Sequence, residues 1–236
     1  MAGPPTLSAP ALYTPSDLEA DPALVSQITD LINDAFARSK KPDPVKWGQV
    51  QRRRFSSNDL YFEMLGSEGV VVVIFDEDSK DRKVVAVAAA LPWQGGWKKE
   101  KAGVEEGWEI KAVAVDGDAR YLRRGLAMQL YVFLEQHLVL KSKQLGVSTT
   151  GRRFVPKDRL TLWILAAECI NGIYWRKRGY ELVRKDIAEA PTWGVHTSFE
   201  MIVLRKDIPF ELPGTGPTIH AENKADEPAR REVEVN

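Results

Sequence analysis

Apolar residues recur at two different periods along this chain, and the switches between them mark out its elements. From Pro22 onward, Leu24, Val25, Ile28, Leu31, Ile32, Ala35 and Phe36 fall three or four positions apart, the spacing of one helix face. Asp21 stands ahead of this run as its N-cap, and Lys41-Pro42-Asp43-Pro44 ends it, because a short carboxylate satisfies free N–H groups of a first turn and proline cannot continue a helix. A second, basic helix is predicted over part of Val45 to Leu65, divided at Ser56-Ser57-Asn58-Asp59. The runs Val70 to Phe75 and Val84 to Leu91, rich in valine and alanine, flank the charged stretch Asp76 to Asp81 and predict a strand, a turn and a strand. Trp93 to Gly107 reads as a loop, Ile110 to Val115 as a strand, and Leu126, Leu130, Phe133, Leu134 and Leu138 as the buried face of a longer helix. Leu160 to Leu165 is a further strand, and Ala166 to Arg178 a short helix that Gly179 stops, with Arg176, Lys177 and Arg178 in its last turn, where cations meet the negative helix end. Tyr180 to Val183 and Ser198 to Leu204 complete the strands, with a first one expected within Leu7 to Tyr13. Helices between strands give an α/β or α+β class with a mixed sheet. Residues 1–208 are expected to form a single domain. Residues 209–236, which lose apolar periodicity and gain Gly, Pro and charge, are expected to be a disordered tail.

Composition narrows the classes. A chain of 236 residues is long enough to bury a substantial core. Its formal net charge of +0 implies no bulk attraction to nucleic acid or membrane. One cysteine, Cys169, excludes an internal disulfide and a cysteine-rich zinc site. The three histidines, His137, His196 and His220, are too scattered for a metal site. No apolar run approaches the roughly 20 residues of a membrane span, and the first residues lack a signal pattern. A cytoplasmic protein without metal is expected.

The chemistry concentrates in residues 109–127. A short strand, a Gly/Asp-rich turn, the pair Arg123-Arg124 and the step Gly125-Leu126-Ala127 lead into a helix. A helix start offers about four unpaired N–H groups and a partial positive charge, and a glycine there lets a phosphate approach the backbone. The spacing resembles the pyrophosphate motif of the GNAT N-acetyltransferase superfamily, (Gln/Arg)-x-x-Gly-x-(Gly/Ala), and departs from it at the first position, where Leu122 stands. A P-loop and a dinucleotide fingerprint fit less well, since neither Gly-Lys-Ser/Thr nor three glycines are present. A second segment, Trp175-Arg176-Lys177-Arg178-Gly179-Tyr180, resembles the superfamily's Tyr-x-Lys-x-Gly-Phe. In the superfamily that tyrosine is often the acid that reprotonates the leaving thiolate; an indole N–H at Trp175 cannot do so near neutral pH. Tyr174 is the adjacent phenol and so the candidate acid, though one residue is about 100° of helix.

The resemblance implies a mixed, mostly antiparallel sheet of six to seven strands flanked by about four helices, with a splay between strands 4 and 5. It implies acetyl-CoA as cosubstrate and acetyl transfer to a primary amine, by direct attack on the thioester. The first reading of the acceptor is a small molecule. A protein lysine or N-terminus is an alternative, and a non-catalytic acyl-CoA-binding domain another. Carried onto this sequence, the backbones of Val113, Ala114 and Val115 would hold the pantetheine arm and the thioester oxygen, Arg123, Arg124, Gly125, Leu126, Ala127 and Met128 would wrap the pyrophosphate, and Asn171 would contact the arm. Glu109 is the candidate base; strand alternation places it on one face with Lys111, Val113 and Val115. The plainer expectation for Glu109 is an ion pair with Lys111. Trp93, Trp193 and His196, in two Gly-containing loops, are the candidates for the acceptor side. Arg52-Arg53-Arg54 reads as a solvated basic face.

Overall fold

The strand runs join in one sheet. In a computed structural model that describes residues 4–48, 53–97, 105–147 and 158–211, the strands are β1 (Ala11–Tyr13), β2 (Val70–Asp76), β3 (Lys83–Pro92), β4 (Trp108–Val115), β5 (Arg159–Ala167), β6 (Glu181–Glu189) and β7 (Ser198–Pro209), in the order β1-β2-β3-β4-β5-β7-β6. Every neighbouring pair is antiparallel except β4 and β5. The helices are α1 (Pro15–Glu19), α2 (Pro22–Lys40), α3 (Pro44–Trp47), α4 (Asn58–Leu65), α5 (Leu126–Val147) and α6 (Ile173–Arg176). The Asp21 carboxylate accepts from the Leu24 N–H at 3.0 Å, with Pro22 opening α2, as the cap rule requires.

Two apolar layers explain the strand compositions. On one face α5 lays Leu126, Leu130, Tyr131, Leu134 and Leu138 against Val72, Ile74, Ile110, Leu162 and Ile164; Phe133 is half-buried at the edge of this layer. On the other face Ile28, Leu31 and Ile32 of α2, with Tyr61 and Leu65 of α4, cover Val71, Val73, Val87 and Ala89. β2 is therefore buried on both sides, which is why it reads as an unbroken apolar run rather than an alternating one.

Three boundaries differ from the sequence expectation; β6, expected over Tyr180 to Val183, runs on to Glu189 because it pairs with β7 as far as Ser198. β5 continues through Ala166 and Ala167, which pair with Ile202 and Met201 of β7; cross-strand pairing overrides the helix preference of alanine there. The predicted helix begins two residues later, as a π-turn over Glu168–Gly172 running into α6. Likewise β7 reaches Pro209, because it pairs with β5 as far as Arg159, and the Phe210 N–H donates to the Asp158 carbonyl. Residues 212–236 of the expected tail lie outside the described residues.

The site is set by what happens between β4 and β5. Their parallel pairing consists of Trp108 with Leu162 and Glu109 with Trp163, after which the strands part. On its other edge β4 carries a bulge: Ala112 and Val113 together oppose Ala88 of β3, with Ala112 at φ 53°. A left-handed backbone costs a residue other than glycine about 1–2 kcal/mol, so the packing on both sides holds it. The bulge overturns the expected alternation. Val113 and Val115 pack with Ile110 on the α5 side, whereas Ala112 and Ala114 pack on the α2 side. Glu109 and Lys111 face α2 and do not share a face with Val113 and Val115, because the extra residue reverses the order of faces.

Candidate active site

The parting of β4 and β5 opens a cleft of about 230 Å³ whose walls include Glu109 to Ala114 of β4, Ile164 to Ala167 of β5, Ile170 and Asn171 of the π-turn, and Phe36 of α2. Glu109 sits at the vertex, 5% exposed, at the last β4–β5 pair. The Lys111 ammonium donates to its carboxylate at 3.0 Å. The expected ion pair thus forms, and it forms inside the cleft wall.

Asn171 also lines the cleft, and its side-chain Oδ1 is buried with no hydrogen-bond partner. A buried amide oxygen without a donor carries a desolvation cost, and a ligand amide in the cleft would relieve it. The backbones of Val113 and Ala114 border the same space. Val115 lies past it, and its carbonyl already accepts from Arg38 Nη2 at 2.6 Å. The residues present therefore fit an amide-bearing arm laid along β4, with Asn171 facing it from the β5 side.

The loop ahead of α5 is built for a close backbone approach. Arg123 and Gly125 both adopt left-handed backbone, at φ 61° and 74°. A Cβ at Gly125 would meet nothing within 4 Å, so the space beside it is open. The Gly125 carbonyl accepts from Met128 and Gln129, which makes it the helix start and puts the N–H groups of Leu126 and Ala127 ahead of the first intrahelical donor. Arg123 and Arg124 are exposed, Arg124 also reaching the Pro5 carbonyl at 3.3 Å, while Leu126 is buried under the loop and Met128 is half-buried. Leu122, where the motif has a polar residue, is 44% exposed. The loop is anchored from below: the Tyr121 hydroxyl donates to Asp76 Oδ2 at 2.6 Å, both residues buried.

The remaining candidates separate. Trp193 lines the cleft, at φ 51° in a 3-10 turn. Trp93 does not: it stacks on Trp163 at 4.9 Å between ring centroids, and its indole N–H donates to Glu105 at 2.9 Å. His196 is exposed, with its backbone N–H on the Lys46 carbonyl. Trp175 is buried among Tyr131, Tyr174 and Tyr180. Tyr174 lies outside the cleft lining, with the Arg178 guanidinium 3.3 Å from its ring centre. Burial raises the Tyr174 phenol pKa, against the opposing charge of Arg178.

Two residues at the cleft, one lining it and one behind its wall, were not found by sequence reasoning. Arg54 is half-buried and lines the cleft instead of facing solvent. Its position follows from Asn33, a buried polar residue on the apolar face of α2. Asn33 Nδ2 donates to the Phe55 carbonyl and the Phe55 N–H donates to Asn33 Oδ1, each at 2.9 Å. With both backbone groups of Phe55 fixed, the neighbouring Arg54 turns inward. Asn33 was the available signal, since a buried amide must find partners. Arg53, by contrast, pairs with Asp30 on the surface. The second is Lys40, 2% exposed, which donates to the Trp193 carbonyl and lies 4.0 Å from the Phe36 ring centre. Burial and then the charge of Arg54 pull its pKa down to about 8.

No family model matches the chain, and no curated protein matches it. Among solved structures it is similar to FeeM, an N-acyl amino acid synthase from uncultured soil microbes (10% identity over 83% of this chain and 93% of that one, TM-score 0.49). It is similar to an acetyltransferase of the GNAT family from Streptococcus pneumoniae (10% identity, 84% and 99% covered, TM-score 0.47). A third is the ribosomal-protein-alanine N-acetyltransferase of Brucella melitensis (16% identity, 84% and 99% covered, TM-score 0.46). The seven-stranded order, the single parallel pair that parts after two residues and the helices on both faces give the chain the GNAT-like fold that its two motifs imply. Among the described residues no helix is long and apolar enough to cross a membrane, and no group of three or more metal-binding side chains occurs.

Proposed function

We propose that the chain transfers an acetyl group from acetyl-CoA to a primary amine of a small molecule, by direct attack of the amine on the thioester. The observation that carries this reading is the cleft at the β4–β5 parting, with a buried carboxylate at its vertex and an unpartnered amide oxygen opposite. In this reading the acyl arm lies along Val113 and Ala114, Asn171 receives one of its amides, and the loop from Arg123 to Met128 holds the pyrophosphate. The amine enters from the α2 side, where Glu109 faces. An amine must be neutral to attack, so its proton passes to the Glu109 carboxylate directly or through one water. Lys111, bonded to Glu109 at 3.0 Å, fixes the carboxylate in place. A thiol has a pKa near 8.5, so its thiolate leaves near neutral pH with little help, and no proton transfer is assigned to Tyr174.

The test is Glu109→Gln. A positioned general base contributes roughly 10²–10⁴-fold, so turnover with acetyl-CoA and a mixture of primary amines should fall by that factor at pH 7 while the acetyl-CoA dissociation constant stays the same. Unchanged turnover would remove Glu109 from the reaction. No turnover with any amine, in a protein that still binds acetyl-CoA, would favour a non-catalytic acyl-CoA-binding domain.

A further inference from the structure

Among the described residues, no hydrogen bond or ion pair answers the charge of Arg54. Its guanidinium has five N–H donors, yet among the described residues it donates no hydrogen bond and no carboxylate lies within ion-pairing distance. Its contacts are the rings of Phe36 and Phe55, at 5.2 and 5.6 Å to their centres. Burial pulls its pKa down, against the attraction of Glu109. The rings attract the guanidinium, but they leave its N–H donors unmet, and an anion in the cleft would supply the partner that its desolvation calls for. Nor is the placement accidental, because the two hydrogen bonds between Asn33 and Phe55 hold the backbone beside it.

Arg54 stands where two spaces meet. It lines the cleft that holds Glu109 and also an adjoining pocket of about 340 Å³ formed with Phe36, Phe55, Trp193 and Gly194. The volume is that of a small molecule. Trp193 is held in its strained backbone by the Lys40 ammonium on its carbonyl, and Lys40 adds a second positive charge behind the same wall. The acceptor side therefore has a carboxylate at its floor, a free guanidinium at its side and aromatic walls.

We propose that the acceptor is a free amino acid: the amine lies toward Glu109, the carboxylate pairs with Arg54, and an apolar side chain rests between Phe36 and Trp193. This rests on the reading of the cleft as an acyl-transfer site and goes further by fixing the chemical class of the acceptor. A guanidinium matches a carboxylate bidentately, and a site built for that pairing rejects the analogue that lacks it. An amino-acid amide keeps the amine and side chain but loses the anion.

The experiment supplies acetyl-CoA with an equimolar mixture of the twenty common L-amino acids or with their carboxamides, and follows N-acetylated products by mass spectrometry. The expected result is that the amino acids react at least tenfold faster than their amides at low concentration. In Arg54→Gln the ratio should fall to within about threefold, through KM. Arg54→Lys, which keeps the charge and loses the fork, should give an intermediate ratio, and thermal melts of both variants check folding. Amides reacting as well as acids, or a ratio unmoved in Arg54→Gln, would overturn the proposal while leaving acyl transfer standing. Acetylation only of amines without a carboxylate would also overturn it. No product from any amine would remove the acyl-transfer reading, and this inference with it.

Discussion

Replacing Tyr121 with phenylalanine removes one hydroxyl and tests how the loop ahead of α5 is held. The Tyr121 hydroxyl donates to Asp76 at 2.6 Å between two side chains that are 1% and 2% exposed. The other support of that carboxylate is the Asp78 N–H at 3.0 Å, with Arg120 as far off as 4.0 Å. A hydrogen bond to a charged group is worth about 1.5–3 kcal/mol, and the second support of Asp76 from the Asp78 N–H keeps this one near the middle of the range. Tyr121→Phe should therefore lose about 2 kcal/mol in urea unfolding at pH 7, and about 4–8 °C in melting temperature for a chain of this size. The ring packing survives, so the loss reports the hydrogen bond. Because Tyr121 lies four residues before Gly125, the dissociation constant for acetyl-CoA should rise as well. A loss under 0.5 kcal/mol would refute the reasoning, since it would mean that solvent reaches Asp76 in the folded state.

Two further outcomes follow from the same structure. The Asp76 pKa is lowered, chiefly by the Tyr121 hydrogen bond. A carboxyl lowered on folding adds stability above its unfolded value of 3.8 and loses it as pH falls through the folded value. The stability gap between wild type and Tyr121→Phe should accordingly narrow below about pH 4, and a gap that is constant from pH 7 to pH 3 would contradict the assignment. Ala112→Val should destabilise by about 2 kcal/mol or more, because a β-branched residue in left-handed backbone is a steric outlier, and it should disturb the vertex at Glu109; a melting temperature within a degree of wild type would show that the bulge is not held.

The sheet was largely legible in the sequence because its strands are marked by β-branched runs and its long helices by apolar spacing, as at α2. The two motif segments, around Gly125 and Gly179, were legible because glycine and arginine punctuate them. The bulge was not. A bulge residue in left-handed backbone is characteristically glycine, and here it is Ala112, so nothing local warned that the faces of β4 would switch. Arg54 was missed for another reason: a run of three arginines looks solvated, and only the long-range clamp from Asn33 to Phe55 turns one of them inward. Trp93 was read as an acceptor residue because it lies in a loop. It belongs to a stack with Trp163, closed by Glu105, whose carboxylate also takes the Arg184 guanidinium at 2.8 Å. Pairings across that many residues leave no local trace.

The central claim is that the parting of β4 and β5, with the loop at Gly125, receives an acyl-CoA. The direct measurement is a calorimetric titration of the full chain with acetyl-CoA, beside Gly125→Val, in which a β-branched side chain would stand in left-handed backbone at φ 74°, in the open space beside the helix start. The account predicts saturable one-to-one binding by the wild type, weakened at least tenfold in the variant. The absence of saturable binding at millimolar acetyl-CoA would contradict it.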